Sequence, residues 1–204
     1  MPIYKKHDAP YNTQLWIWHI TEDEVHLIEG IKLTDSCVNR LADMKSQGHR
    51  LGFLSVRQLL KVAGYTPKAL LYNSFGKPHL CDGRYISISH SHSFSAIAIG
   101  DKPLGVDIEL ERDKVHRIAS KFLHPTEMTP NASDRLLTTQ WCIKEAVYKA
   151  LGKKGISFLE NIRISNMDTK NPLAEVSLKE TTVVLKNWVY FWKDYSCALT
   201  IKTH

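Results

Sequence analysis

Apolar positions along the chain recur with two periods, and the changes between them mark out the elements. Gln14-Leu-Trp-Ile-Trp-His19 alternates and predicts a strand. Thr34 or Asp35 is placed to cap a helix reaching toward Ser46. A second helix is expected from near Gly48, because Phe53, Val56 and Leu60 recur at i, i+3 and i+7 and the pattern stops before Gly64 and Pro67. On that helix Arg50, Arg57 and Lys61 fall close to one line at about 100° per residue, which predicts a basic ridge beside the core. Residues 69–73 read as a strand leading into a turn at Gly76-Lys77-Pro78. Tyr85–Ser89 and Ser95–Ile99 read as two more.

The second half opens on the apolar stretch Leu104-Gly-Val-Asp-Ile-Glu-Leu110. As a strand it would turn Asp107 and Glu109 to one face and Val106, Ile108 and Leu110 into a core. Asp113–Leu123 is expected to be a helix. After the polar break Thr129-Pro-Asn-Ala-Ser133, a longer helix should run from Asp134 to Leu151 and close at Gly152. Its predicted core face is Leu136, Ile143, Val147 and Ala150, with Trp141, Glu145 and Lys149 on roughly the opposite side. Strands are then expected around 162–166, 174–179, 182–192 and 195–202. The order strand, two helices, strands repeats from about residue 105, so two fused α+β modules sharing an interface, 1–104 and 105–204, are expected.

Composition narrows the class. With 204 residues and 43% hydrophobic content, the chain can bury one good core or two small ones packed together. No apolar run nears the roughly 20 residues that span a bilayer, and Met1-Pro-Ile-Tyr-Lys-Lys-His-Asp8 lacks a secretory pattern, so no membrane partner and a cytoplasmic location are expected. Cys37, Cys81, Cys142 and Cys197 form no Cys-x-x-Cys pair, which predicts reduced, mostly buried thiols. Lysine and arginine number 27 against 21 acidic residues, giving a formal charge of +6. An anionic partner follows. The basic residues are scattered and match no nucleic-acid-binding signature, so a non-catalytic module for nucleic acid or another polyanion is kept only as the alternative.

The acidic pair brings in chemistry. Mg²⁺ takes oxygen ligands, usually one or two carboxylates plus substrate phosphates, and Asp107 with Glu109 would form half of such a site. Glu145, with Lys144 and Lys149 nearby in sequence, is the candidate to complete it. Each residue also has a plainer reading. Glu145 and Lys149 are spaced as an exposed i, i+4 ion pair, and Asp107, Glu109 and Glu111 could line a solvated sheet face. Trp141 on a supposedly wet face implies that something covers it, either the other module or a ligand. His90 and His92 could share a strand face and chelate zinc, but no third ligand has a fitting spacing, and a hydrogen-bonding His90 near phosphate is preferred. Lys77, taken alone, is a solvated turn residue.

Singly weak, these signals stand in a telling order. Gly76-Lys-Pro78, Ile88-Ser-His-Ser91, Gly105-Val-Asp-Ile-Glu109, Lys121-Phe-Leu-His-Pro-Thr-Glu127 and Trp141-Cys-Ile-Lys-Glu-Ala-Val-Tyr-Lys149 occur with the order and approximate spacing of 4'-phosphopantetheinyl transferases. The chain resembles the larger, surfactin-synthetase-activating type from about residue 48 to 155, with His49-Arg50 and Val56-Arg57 adding to the likeness. The resemblance implies a pseudo-twofold α+β protein of two similar modules, each a small antiparallel sheet packed with helices, with coenzyme A in the cleft between them. It implies Mg²⁺ on Asp107, Glu109 and Glu145, and catalytic roles for Asp107, Glu145 and Lys149. Arg50, Lys77, Pro78, Ser89 and His90 would join Asp107 and Lys149 in binding coenzyme A. The partner would be an apo acyl or peptidyl carrier protein, typically acidic, and the enzyme a monomer. Glu127 would be supporting at most, and Lys144 as much structural as catalytic.

Overall fold

In the computed structural model, which describes residues 3–179 and 181–202, the chain divides into two units, Met1–Asp101 and Lys102–His204. The first unit builds a six-stranded sheet of antiparallel pairs in the order β1-β2-β6-β5-β4-β3. Its strands are β1 (Ile3–Ala9), β2 (Thr13–His19), β3 (Leu70–Tyr72), β4 (Pro78–Leu80), β5 (Tyr85–Ser91) and β6 (Phe94–Gly100). Helices α1 (Glu24–Ile28), α2 (Asp35–Asp43) and α3 (Gln47–Val62) accompany it. Thr34 caps α2 through the Cys37 amide, settling which of the two candidate residues does so, and the helix stops at Asp43 rather than near Ser46. The core gathers Trp16 and Trp18 of β2 with Phe53, Leu54, Val56, Leu59 and Leu60 of α3. Among these are the three residues whose spacing predicted the helix.

Three expectations for this unit are corrected. The basic ridge does not form: Arg57 is 3% exposed with its guanidinium stacked on Phe53 at 3.3 Å, and Arg50 forks onto Glu24 at 2.6 Å, leaving Lys61 as the exposed member. A long stem lets arginine bury beside an aromatic face, which a charge-based wheel misses. His92 does not share the face of His90. It sits in the turn after β5 with φ +50°, so the pair cannot chelate zinc as two same-face strand residues. Finally, Pro78 belongs to a short strand as well as to the turn, at the strand's first position, where a missing N–H does no harm.

The second unit builds a five-stranded antiparallel sheet, β7-β11-β10-β9-β8, from β7 (Leu104–Leu110), β8 (Ile162–Ser165), β9 (Leu173–Leu178), β10 (Thr181–Trp192) and β11 (Tyr195–Ile201). Helix α5 (Asp134–Leu151) lies on it and ends at Gly152 in the left-handed conformation, as the sequence predicted. Asp113–Leu123 is not one helix. It is a 3-10 stretch, Asp113–Ile118, followed by a single turn, α4 (Ala119–Phe122), and a second short turn, α6 (Phe158–Asn161), comes after α5. The architecture is thus α+β with two antiparallel sheets. All four cysteines are free, and Cys81 alone among them is exposed. Among the described residues no helix is long and apolar enough to cross a membrane.

Helix α5 is buried on more than one side. Leu137, rather than the half-exposed Leu136, sits in its core, together with Cys142, Ile143, Ala146, Val147 and Ala150. Strand β7 is likewise buried on both faces, with Val106 and Ile108 inaccessible and Asp107 only 4% exposed. The solvated sheet face offered as the plain reading of the acidic pair is therefore not what forms. The face carrying Gly105 and Asp107 is turned to α5.

Candidate functional site

Period-two geometry along β7 places Gly105, Asp107 and Glu109 on one side of the strand, with Glu111 just past its end. Gly105 permits the arrangement: a β carbon at this position would overlap the Ala146 carbonyl oxygen and stand 2.8 Å from the Ala150 nitrogen. The backbone of α5 can therefore close on β7, and two turns of helix bring Glu145 and Lys149 alongside the strand. Lys149 Nζ donates to Asp107 Oδ1 at 2.7 Å and to the Val106 carbonyl at 3.0 Å. The i, i+4 pairing of Lys149 with Glu145 thus gives way to a cross-element ion pair.

The electrostatics of this corner are uneven. Burial, and then the facing charge of Asp107, push the Glu145 carboxyl above the usual carboxylate range, with Lys149 pulling the other way. Burial alone would lower Lys149, but Asp107 and then Glu145 more than reverse that and hold its ammonium above the ordinary lysine value. Cys142, inaccessible beneath the carboxylates, is raised well above a normal thiol by burial first and by Asp107 and Glu109 after it. It is inert as a nucleophile. The Glu145 carboxylate is half-buried and accepts no hydrogen bond among the described residues. A half-buried carboxylate with no protein donor, beside another carboxylate, is a place where a cation or a proton is stabilised.

Glu109 opens onto a pocket of about 200 Å³ shared with Arg112, Lys114, Thr138 and Trp141. Trp141 is covered from within its own unit, by Phe122 at 5.1 Å and Phe158 at 5.6 Å, and needs neither a ligand nor the other module to explain it. Among the described residues no three His, Cys, Asp or Glu side chains are arranged to hold a metal ion by themselves. The donors are nonetheless hard oxygens of like charge, the kind that holds Mg²⁺ together with water and substrate phosphates.

Two further acids are resolved by their partners. Glu111 is held by Arg135 at 2.9 Å and by the Ser196 hydroxyl at 3.0 Å, which sets it apart from Glu109. Glu127 pairs with Lys144 at 2.6 Å, both fully buried, and accepts from the amides of His124 and Ile164. Lys144 also donates to the carbonyls of Phe122, Phe158 and Ile162. The motif lysine therefore fastens α5 to the segments on either side of it and points away from Glu145, as the helix wheel indicated.

In the first unit, Lys77 follows Gly76 in a turn where the Asn73 side chain accepts from the Lys77 amide at 3.0 Å, and Pro78 starts β4. Ser89 is buried and His90 exposed on β5. The His90 ring lies against α3 where Gly52 leaves room, since a β carbon there would stand 2.9 Å from the ring. Arg50 forms its fork with Glu24 and also donates to the Leu41 carbonyl, so engaging a phosphate would require it to exchange one anion for another.

Residues 103–200 match the model of the 4'-phosphopantetheinyl transferase superfamily. The chain is 27% identical over 157 residues to the 4'-phosphopantetheinyl transferase gsp of Aneurinibacillus migulanus, covering 72% of this chain and 65% of that protein. It is 29% identical over 122 residues to a 4'-phosphopantetheinyl transferase of Bacillus subtilis, covering 53% and 54%. The aligned part is thus under two thirds of the length of these relatives. The likeness to this superfamily drawn from the ordered motifs is borne out, and the matched region contains Asp107, Glu109, Glu145 and Lys149.

Proposed function

We propose that the chain transfers 4'-phosphopantetheine from coenzyme A to a serine of an apo acyl or peptidyl carrier protein, releasing adenosine 3',5'-bisphosphate. The observation that carries this reading is the Asp107–Lys149 pair with Glu145, which has no protein donor, beside it, lying inside the region that matches the superfamily. Asp107, Glu109 and Glu145 would hold Mg²⁺, which when bound would neutralise charge on the diphosphate of coenzyme A.

The chain's own groups supply the rest. Glu145, which has no protein donor and lies beside Asp107, takes the proton of the carrier serine hydroxyl, directly or through a water. The serine oxygen bonds to the β-phosphorus as the bond to the α-phosphate oxygen breaks. Lys149 stays charged across the working pH range and stabilises the negative charge left on the departing bisphosphate. Lys77, Pro78, Ser89 and His90 are assigned to the adenosine and 3'-phosphate end, and Arg50 joins them by releasing Glu24. Two units, each an antiparallel sheet carrying one long helix, support a pseudo-twofold fusion of related modules. The formal charge of +6 suits an acidic carrier and predicts that high salt weakens its recognition.

Incubation with coenzyme A, Mg²⁺ and a panel of apo carriers tests the proposal by intact mass. A phosphopantetheine adduct on at least one carrier, lost in Asp107→Ala and Glu145→Ala, is expected. Unchanged masses across the panel with the protein folded would overturn it.

A further inference from the structure

Within the first unit, the start of α2, the middle of α3, the 3-10 turn Pro67–Ala69 and β3 enclose a pocket of about 420 Å³, inside the roughly 300–1,000 Å³ usual for small-molecule sites. Three cations line it, Arg40, Arg57 and Lys68, and no carboxylate does. Arg57 is the informative one. It is 3% exposed, its Nη1 donates to the Phe53 carbonyl at 3.1 Å, and its Nε finds no acceptor among the described residues. Nor does it form an ion pair with any described carboxylate. A buried guanidinium is normally paired, because removing its charge from water is costly unless an anion compensates.

Other features of the pocket have the same sign. The amino-terminal end of the nine-residue α2 faces it through Thr34, Ser36 and Cys37, adding the positive end of the helix dipole. At Cys37 burial would raise the thiol, yet the Thr34 hydrogen bond and the Arg57 charge outweigh it and lower the pKa. Arg40 lies over both the Phe53 and Tyr72 rings, at 5.3 and 4.9 Å, so its guanidinium is held at the pocket rather than ranging through solvent. Leu70, Leu71 and Tyr72 supply apolar lining beside the charges.

We infer that this pocket binds a small phosphate-bearing ligand, with the phosphate against Arg57, Arg40, Lys68 and the start of α2, and the body of the ligand against Leu70 and Tyr72. Arg57, whose described neighbours are the Phe53 ring and carbonyl and the Cys37 thiol, would gain a full anion. The site uses none of the carboxylates or the lysine assigned to phosphopantetheine transfer, so it stands or falls separately from that activity.

The test titrates the full chain with inorganic phosphate and with phenyl phosphate, following backbone amide shifts and the rate of Cys37 alkylation read by peptide mass. Saturable shifts at residues 34–37 and 70–72, with slowed alkylation of Cys37, are expected. Phenyl phosphate should bind about tenfold more tightly than phosphate if the apolar lining is used, whereas equal affinity assigns the site to free phosphate. Arg40→Ala with Lys68→Ala, both at exposed positions, should weaken binding at least about tenfold with the melting temperature kept. Arg57→Lys should retain the fold and weaken binding too. Absence of saturable shifts with either probe, or binding indifferent to Arg40→Ala with Lys68→Ala, would overturn the inference.

Discussion

Gly105 faces the α5 backbone at Ala146 so closely that no side chain fits between them. This contact sets the depth at which the helix lies on β7, and so the reach of Lys149 to Asp107. Gly105→Ala must push strand and helix apart. Because backbone rather than a flexible side chain is the obstacle, we expect a loss of about 3 kcal/mol in urea unfolding. Any protein that still folds should lose the Lys149–Asp107 pair, visible as a change in the Lys149 ammonium resonance. A variant as stable as the parent would show that the two elements can slide without cost.

Lys144 and Glu127 make a second, purely structural prediction. Lys144→Met leaves a buried carboxylate and three carbonyls without their donor, which should cost about 3–5 kcal/mol. Adding Glu127→Gln should recover part of that loss, since the isolated charge disappears. A double-mutant cycle with no coupling between the two positions would mean that the pair does not hold α5 in place.

Glu109 and Glu111 are chemically alike and two residues apart, one within β7 and one just past its end, yet they should behave differently. Glu111 is tied to Arg135 and Ser196, so Glu111→Gln should cost about 1 kcal/mol and leave the Mg²⁺ requirement of transfer alone. Glu109→Gln should raise the Mg²⁺ concentration for half-maximal transfer by at least about tenfold with little change in stability. Mg²⁺ titrations of both variants decide the matter, and a shifted requirement in Glu111→Gln would move the metal assignment.

What could be read from the sequence followed from local period. Asp107 and Glu109 share a face because alternate strand residues do, and Lys144 turns from Glu145 because neighbours on a helix are about 100° apart. What could not be read depended on partners distant in sequence. Arg135, which claims Glu111, lies 24 positions on, and Glu24, which claims Arg50, lies 26 positions back. A charge pattern predicts a basic ridge beside the core that includes Arg57, and does not reveal that the Phe53 ring takes up its guanidinium. Strand β1 is not legible in the sequence, since an edge strand carrying Lys5, Lys6 and Asp8 shows little apolar alternation. The glycine of the Gly105 motif was visible, but its reason, the passage of a helix backbone, needed the packed structure.

Glu145 links the proposed function to stability with a definite sign. Its carboxyl pKa is raised in the folded protein by burial and by Asp107, so the charged form is penalised relative to the unfolded chain. A carboxyl with a raised folded pKa lends its stability fully below the unfolded value, near the ordinary 4.5, and loses it as pH rises through the folded value. At neutral pH the charge on Glu145 is therefore a liability, and Glu145→Gln should melt higher than the parent by about 1–3 °C, a modest figure because the group is partly exposed and screened. The advantage should shrink as pH falls and vanish below about 4.5, where both proteins carry a neutral side chain. The same variant should have lost transfer at every pH. Thermal melts of the two proteins across this range settle the sign: a Glu145→Gln variant less stable at neutral pH and gaining on acidification would mean that the carboxylate is held there by a favourable partner rather than strained into place for chemistry.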